Sequence, residues 1–293
     1  MTTGASGSPQ PVHYQRPFRP LHVAGRVMSY GILILGAFVF LLPFLWMLST
    51  SLKDKNLVSA VPIVWIPPEL MWENYIKPWG YMPFALWYRN TIFITFVNVV
   101  GIVLASSLVA FGFARIRFWG RNVHFIILLA TMMLPAQVTL IPTYLIWSRL
   151  GAVNTFWPLI VPQWLSTGFD VFLLRQFFQT IPREMDEAAR MDGCGWFGIY
   201  RLIALPLAKP ALGVLAITNF AWNWNNFFDP LIYLNSTEKL TVSLGLTLFQ
   251  GRVAREIPGL MAMTMVSMIP VLITFFIAQR YFIQGIVISG VKG

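Results

Sequence analysis

The sequence has 293 residues, of which 57% are hydrophobic and only 11% carry a charge. Soluble domains carry about 25% charged residues, so the composition excludes an ordinary soluble fold and predicts an all-α membrane protein. The net charge is +10, but the basic residues lie scattered between apolar runs. This distribution argues against binding of nucleic acid and is typical of Lys and Arg that flank membrane spans.

The first 24 residues are rich in Pro, Gly and Ser and contain no apolar core. We expect a flexible cytoplasmic tail over 1–25. A cleavable signal peptide is not expected, because the apolar run that follows is too long and lacks a small-residue cleavage site.

Six intervals contain between 19 and 27 consecutive residues without a formal charge. Since a membrane helix needs about 20 such residues, the sequence predicts six transmembrane helices. Their predicted ranges are 27–50, 88–114, 122–146, 153–178, 207–232 and 258–282.

An even number of spans places both termini on the same side of the membrane. The segment 114–121, with the sequence ARIRFWGR, is short and strongly basic, as cytoplasmic turns are. We therefore predict that both termini are cytoplasmic. The long external loop 52–86, rich in Pro and Trp, is predicted to lie along the membrane interface.

The second predicted span carries small residues four positions apart. Such spacing allows helix backbones to approach closely inside a membrane bundle. We expect a structural role for these residues, which are Gly101, Ala105, Ser106, Ala110 and Ala114.

Four of the eleven carboxylates fall within 184–192, between the fourth and fifth predicted spans. A short helix is predicted to begin after Pro182, with the acidic side chains near its positive end, and to stop at Gly193. A second helical segment is predicted to run until Pro206. Charge alone leaves two interpretations open, a solvated loop or a surface that docks a cytoplasmic partner.

The arrangement of this segment resembles the EAA motif of importer permeases in the ATP-binding-cassette superfamily. Glu187, Ala188 and Ala189 are followed by Gly193 and then by the sequence Ile-x-Leu-Pro, which ends at Pro206. Further stretches look like the carbohydrate-uptake branch, and in particular like its maltose-type second permease subunit. These stretches are 106–121, 173–193, 224–234 and 278–293.

The resemblance implies a type I importer permease fold and four regions. The first is the tail 1–25, and the second comprises the first span and external loop, 26–86. The core domain, 87–282, contains a coupling loop at 182–206, and a cytoplasmic tail follows at 283–293.

In the family, the coupling loop contacts a cytoplasmic ATPase. The resemblance therefore implies that Glu187 contacts a basic group there, that Ala188 and Ala189 allow close approach, and that Gly193 forms the bend. The remaining motif residues implied in coupling are Asp192, Ile203, Leu205 and Pro206. Lys292, in the C-terminal tail, is expected to add contacts.

The implied partners are a second homologous permease subunit, an ATPase dimer, an external solute-binding protein, a sugar and the lipid of a bacterial inner membrane. No catalysis is expected in this chain. It has no GxxxxGK[ST] phosphate loop, so ATP and Mg would bind to the ATPase. With a single cysteine, Cys194, and three scattered histidines, no disulfide or metal site is expected.

Polar residues inside membrane spans are candidates for the substrate pathway. In the fourth span these are Gln163, Ser166 and Asp170, which lie on a similar helical face. In the fifth they are Trp224, Asn225 and Asn226, because amides and aromatic faces suit sugars. The alternative is that these groups tie helices together.

Two other functions are considered. An ion-driven secondary carrier would need paired membrane acids and often an internal repeat, and neither is visible. A membrane enzyme would need a nucleophile and base or a metal set, which the three histidines do not supply.

Overall fold

The computed structural model describes residues 20–252 and 256–290, and describes side chains for 28–251 and 256–279. Most of the predicted N-terminal tail and Lys292 lie outside these residues. The part that is described consists of helices and connecting turns, without a β-strand. This confirms the prediction of an all-α fold.

Fourteen α-helices follow one another along the described chain. They are α1 Pro20–Ser51, α2 Pro78–Tyr81, α3 Phe84–Arg115, α4 Arg121–Thr131, α5 Ala136–Arg149, α6 Trp157–Trp164, α7 Gly168–Thr180, α8 Arg183–Met191, α9 Trp196–Ile199, α10 Leu205–Leu207, α11 Lys209–Trp224, α12 Phe228–Tyr233, α13 Val242–Arg252 and α14 Ile257–Gly290. One π-helix, Tyr200–Ala204, separates α9 from α10. Three 3-10 helices lie at Lys55–Leu57, Trp72–Tyr75 and Thr237–Lys239.

Within the described residues, three helical stretches are long and apolar enough to cross a membrane: Met28–Ser51, Phe84–Arg115 and Ile257–Gln279. Two bent pairs, α4 with α5 and 196–207 with α11, raise the number to five if each pair is one span. The predicted fourth span is instead divided into α6 and α7, with 8 and 13 residues. The count of six spans and their orientation remain predictions.

The chain divides into two compact units, and the first ends at Trp46. Its described part is the N-terminal portion of α1. The apolar side chains of this portion are exposed, including Leu33, Ile34 and Phe40. Such a surface is what a helix in contact with hydrocarbon presents, because lipid removes the need for a polar outer face.

The second unit contains two apolar cores, and α3 contributes to both. The first core joins the C-terminal half of α3 to α7, α11 and the 182–206 loop, and includes Phe111, Leu174 and Tyr200. The second joins the N-terminal end of α3 to α13 and α14, and includes Trp87, Phe249 and Met263. A single helix therefore links the coupling loop to the opposite end of this unit.

Close packing along α3 depends on glycine. A Cβ atom on Gly101 would collide with the indole ring of Trp164 on α6. The prediction that Gly101 permits close helix approach is therefore confirmed. At the other core, a Cβ on Gly245 of α13 would collide with the ring of Trp87.

Candidate functional site: the coupling loop and its anchor on α3

Helix α8 forms the first half of the 182–206 loop. Glu184 and Asp186 lie in its first turn, where carboxylates are favoured by the helix dipole. The helix ends at Met191, and the chain then turns at Gly193, whose φ of +84° glycine adopts at little cost. The Gly193 amide donates to the Arg190 carbonyl at 3.0 Å and the Cys194 amide to the Ala189 carbonyl at 2.9 Å. The predicted helix and glycine bend are both present.

Helix α8 has two different faces. Asp186 and Ala189 are buried against the rest of the chain, and Ala189 belongs to the first apolar core. Glu187 and Ala188 are exposed on the outer side. The small side chain of Ala189 therefore allows close packing within this chain, whereas Ala188 is available to another molecule.

An ion pair holds the inner face of α8 to the end of α3. Arg115 Nη1 lies 3.2 Å from Asp186 Oδ2, and the two side chains are only 3% and 11% exposed. Arg115 Nη2 also donates to the Ile181 carbonyl at 2.7 Å. Burial raises the pKa of Asp186, and the charges of Arg115 and Arg183 oppose that rise.

Two further residues on the same face of α3 hold the second half of the loop. Ser107 Oγ lies 2.7 Å from the Tyr200 hydroxyl. The ring of Phe111 packs against Trp196 and Tyr200, with centroids 6.5 and 5.3 Å away. Ser107, Phe111 and Arg115 are four residues apart, so they share one helix face. We call these three residues the α3 anchor.

The second half of the loop is helical but irregular. It passes through α9, the π-helix Tyr200–Ala204 and the short α10, and the chain then bends by 76° into α11. Ile203 and Leu205 pack against the first core, whereas Pro206 is exposed. Asp192 is exposed, and the thiol of Cys194 is free and half-buried.

A groove of about 360 Å³ separates α8 from the end of α3. Its lining combines four arginines with two acids and one indole ring, and the Arg190 guanidinium lies 5.1 Å from the ring centroid of Trp196. The lining residues are Arg115, Ile116, Arg117, Arg183, Asp186, Glu187, Arg190 and Trp196. Because cations outnumber acids, the groove presents positive charge beside the exposed Glu187.

The α3 anchor was not predicted from the sequence. The small residues of the second predicted span indicated only a packing role, and Asp186 was predicted only as one of the acids near the positive end of a short helix. A signal was available, because Arg115 ends an apolar run of 25 uncharged residues. The partner of Arg115 could not be inferred, since Asp186 is 71 residues away in sequence.

The first group of pathway candidates surrounds the break between α6 and α7. Asp170 is only 4% exposed. Its Oδ2 accepts from the Thr167 hydroxyl at 2.6 Å and its Oδ1 from the Asn219 amide at 3.2 Å. Ser166 forms the break with a φ of +62°, and Gln163 is half-buried.

Polar side chains connect Asp170 to α3. Asn219 on α11 is bonded to Asp170, and its carbonyl accepts from Asn223 at 2.9 Å. Asn98 on α3 donates to Asn223 Oδ1 at 2.7 Å and to the Leu159 carbonyl at 3.0 Å. These contacts tie α3, α6, α7 and α11 together. Asn98 and Asn219 were missed, although each is a polar residue inside an apolar span.

The second group of candidates divides between buried and exposed positions. Trp224 is buried, donates to the Ser267 carbonyl at 2.9 Å and stacks on Phe220. Asn225 is exposed, and Asn226 donates to Asp229 Oδ2 at 2.8 Å. In the described chain, no hydrogen bond or ion pair joins Gln163, Ser166 or Asp170 to this group. A pathway role for either group remains a prediction.

No group of three or more His, Cys, Asp or Glu side chains suited to holding a metal occurs among the residues with described positions. The candidate functional features of the described chain are the 182–206 loop, its groove and the polar ties between helices.

Comparison with known proteins identifies relatives of similar length. An arabinooligosaccharides transport system permease protein, AraQ, from Halalkalibacterium halodurans is 32% identical over 260 residues, which cover 88% of this chain and 93% of the relative. A chain in the crystal structure of a bacterial ABC transporter involved in the import of the acidic polysaccharide alginate is 26% identical. It has a TM-score of 0.79 and covers 91% of this chain and 99% of that chain.

A second solved structure shares the fold. It is a bacterial alginate ABC transporter in complex with an alginate pentasaccharide-bound periplasmic protein. The similar chain is 16% identical, with a TM-score of 0.63, and covers 87% of this chain and 96% of that one.

The family model described as "binding-protein-dependent transport system inner membrane component" matches residues 98–288. The match includes the coupling loop, the C-terminal half of α3 and both groups of pathway candidates. It favours a transport subunit over the secondary carrier and the membrane enzyme considered above. Together with the helical fold and the anchored loop, it shows that the chain belongs to the family of binding-protein-dependent ABC transport permeases.

Proposed function

We propose that this chain is one of two permease subunits of a bacterial inner-membrane importer, driven by a separate cytoplasmic ATPase that binds ATP and Mg. The observation that carries the proposal is the construction of α8. Its inner face is fixed to α3 by Arg115, and its outer face leaves Glu187 and Ala188 exposed. A small, rigidly held surface with an exposed carboxylate suits contact with a basic group in another subunit.

The proposed cargo is a sugar, oligosaccharide or sugar derivative, acidic ones included. The support is that relatives across most of the chain are named for arabinooligosaccharides and for alginate. An external solute-binding protein is proposed to deliver the cargo, as the family description implies.

The proposed mechanism is alternating access. Closure of the ATPase dimer would displace α8, and the α3 anchor would transfer that displacement to α3 because the ion pair and the ring contacts resist separation. The helices packed on α3 would then rearrange between inward-facing and outward-facing forms. ATP can shift this equilibrium only through its differential affinity for the two forms.

The experiment replaces the genomic copy with tagged variants and purifies the complex from membranes. For Glu187→Lys we expect normal membrane insertion but loss of the ATPase subunit, or of its stimulation by the binding protein. Glu69→Lys, which makes the same charge change at an exposed position in the external segment, should behave as the wild type. A fully coupled Glu187→Lys complex would contradict the coupling role.

A cysteine pair in a Cys194→Ala background tests the contact surface directly. Ala188→Cys should react with a bulky maleimide in the isolated chain and be shielded in the assembled complex. Ala189→Cys should stay unreactive in both, because position 189 is buried in this chain. Equal reactivity of Ala188→Cys with and without the ATPase would remove the proposed interface.

A further inference from the structure

A second groove lies at the turn between α3 and α4, and it shares only Arg117 with the groove at α8. Its volume is about 340 Å³, and two guanidinium groups contribute to its wall. Gly120, with a φ of +72°, turns the chain into α4 at the centre of the lining. The lining residues are Arg117, Phe118, Gly120, Arg121, Asn122 and Val123.

Among the described residues, no acidic residue lines this groove. All eleven carboxylates lie among residues with described side chains, and none occurs between residues 74 and 169. The ion pairs of the described part are Lys77 with Glu73 and Arg115 with Asp186. Arg117 also borders the groove at α8, but it forms neither of these pairs, and Arg121 forms neither.

A third cation lies nearby. The guanidinium of Arg175 on α7 is 4.1 Å from the ring centroid of Phe125. Phe125 follows Arg121 by one turn of α4, so Arg175 lies beside the helix face that carries Arg121. Three arginines from three elements therefore concentrate positive charge at one end of α4.

The surface next to the groove is apolar. Val123 lines the groove, and Ile126 and Ile127, three and four residues further along α4, continue its exposed face. Beside Arg117, the ring of Trp119 is 94% exposed. An exposed indole is typical of the membrane interface. The positive charge at one end of α4 matches the headgroup of a phospholipid, and the exposed apolar face that continues along the helix matches an acyl chain.

We propose that this groove binds an anionic phospholipid, with the phosphate at Arg117 and Arg121 and an acyl chain along Val123, Ile126 and Ile127. Guanidinium groups bind phosphate through paired N–H donors, and basic pockets at the ends of membrane helices attract anionic headgroups. The site contains none of the candidate cargo residues and shares only Arg117 with the groove at α8, and it does not depend on the proposed function.

The test uses the purified full chain in nanodiscs of zwitterionic phosphatidylcholine that contain a trace of spin-labelled phosphatidylglycerol or spin-labelled phosphatidylcholine. The fraction of immobilised label gives the relative affinity. We expect the wild type to prefer phosphatidylglycerol. Arg117→Ala/Arg121→Ala should lose on the order of twentyfold in that preference, since each basic residue at an anionic surface contributes about fivefold.

The matched control is Arg201→Ala/Lys209→Ala, which removes two exposed charges elsewhere and should keep the preference. The single variants Arg117→Ala and Arg121→Ala provide smaller perturbations if the double variant folds poorly. Equal losses in the control would show a general charge effect and overturn the site. Displacement of the label by inorganic phosphate alone would show that the groove binds a free anion. An unchanged preference in the double variant would show that the two arginines do not bind lipid and would favour a protein partner for them. Either result overturns the proposal.

Discussion

Arg115 Nη1 lies 3.2 Å from Asp186 Oδ2, and this pair joins the last residue of α3 to the inner face of α8. The outer face of the same helix carries Glu187, next to Asp186 in sequence but exposed. The two adjacent acids thus have different surroundings, because Asp186 is paired with Arg115 inside the chain and Glu187 is exposed. The position of α8 is set by α3 rather than by the loop itself.

Replacement of Arg115 by Ala should release α8 from α3. Asp186 would keep a buried charge without its partner, which costs roughly 3 kcal/mol, and the Ile181 carbonyl would lose its donor. We expect amide hydrogen exchange in 183–191 to accelerate by roughly a hundredfold, while exchange at the start of α14 stays unchanged. Arg117→Ala removes an exposed arginine two residues away and should leave exchange in α8 as it is. Unaltered protection in Arg115→Ala would show that the ion pair does not hold the helix.

Gly193→Ala should destabilise the bend that ends α8. A Cβ at this position meets no atom within 4 Å, so the cost comes only from the φ of +84° and amounts to roughly 1 kcal/mol. Gly193→Asn should cost less, because Asn tolerates the left-handed region. Thermal unfolding of the purified chain gives the ranking, and Gly195→Ala, at a φ of −74° with open space, is the matched control. A loss in Gly195→Ala as large as in Gly193→Ala would refute the conformational explanation.

Asp170→Ala should lower the melting temperature by several degrees. The Thr167 hydroxyl and the Asn219 amide would each lose an acceptor, at about 1–3 kcal/mol per unsatisfied group. Asp170→Asn should be milder, since its carbonyl oxygen still accepts from Asn219 and the Thr167 hydroxyl can accept from the new amide. Glu69→Ala, at an exposed acid outside the helices, should leave the melting temperature unchanged. If Asp170→Ala and Asp170→Asn have the same melting temperature, the hydrogen bonds of Asp170 do not stabilise the bundle.

Gly101→Ala should destabilise the contact between α3 and α6, because its methyl group would enter the space of the Trp164 ring. Overpacking of this kind costs about 1–3 kcal/mol. Trp164→Ala in the same chain should relieve the collision, so the double variant should be more stable than additivity predicts. Gly112→Ala, on the same helix with open space around it, should have little effect. Strict additivity of the two changes would contradict direct contact.

Much of the fold could be predicted because its causes are local. The apolar runs, the acidic first turn of α8 and the glycine at 193 act over a few residues, and each is present where the sequence predicts it. The break within the predicted fourth span could not be predicted by counting uncharged residues. It depends on the backbone at Ser166, where a φ of +62° separates α6 from α7, and charge counting contains no information on φ.

The features of the candidate site likewise divide into those that the sequence predicted and those that it did not. The helix and the glycine bend of the 182–206 loop were predicted from sequence, but the burial of Ala189 was not. Burial depends on which face of α8 meets the core, and that face is chosen by the pairing of Asp186 with Arg115. For Trp224 the sequence left a sugar contact and a tie between helices open, and the structure shows that its indole donates to a carbonyl of α14.

The sequence by itself determined that the chain resides in a membrane, that it is helical, which family it belongs to and which segment forms α8. These follow from composition and from short-range patterns, which act before distant residues meet. Only the tertiary structure decided which acid of that helix is neutralised and which is exposed. It also decided which helix holds the loop in place, and where arginines without acidic partners gather at the end of α4. Those outcomes require residues far apart in sequence to be brought within a few ångströms, and that proximity exists only once the helices have packed.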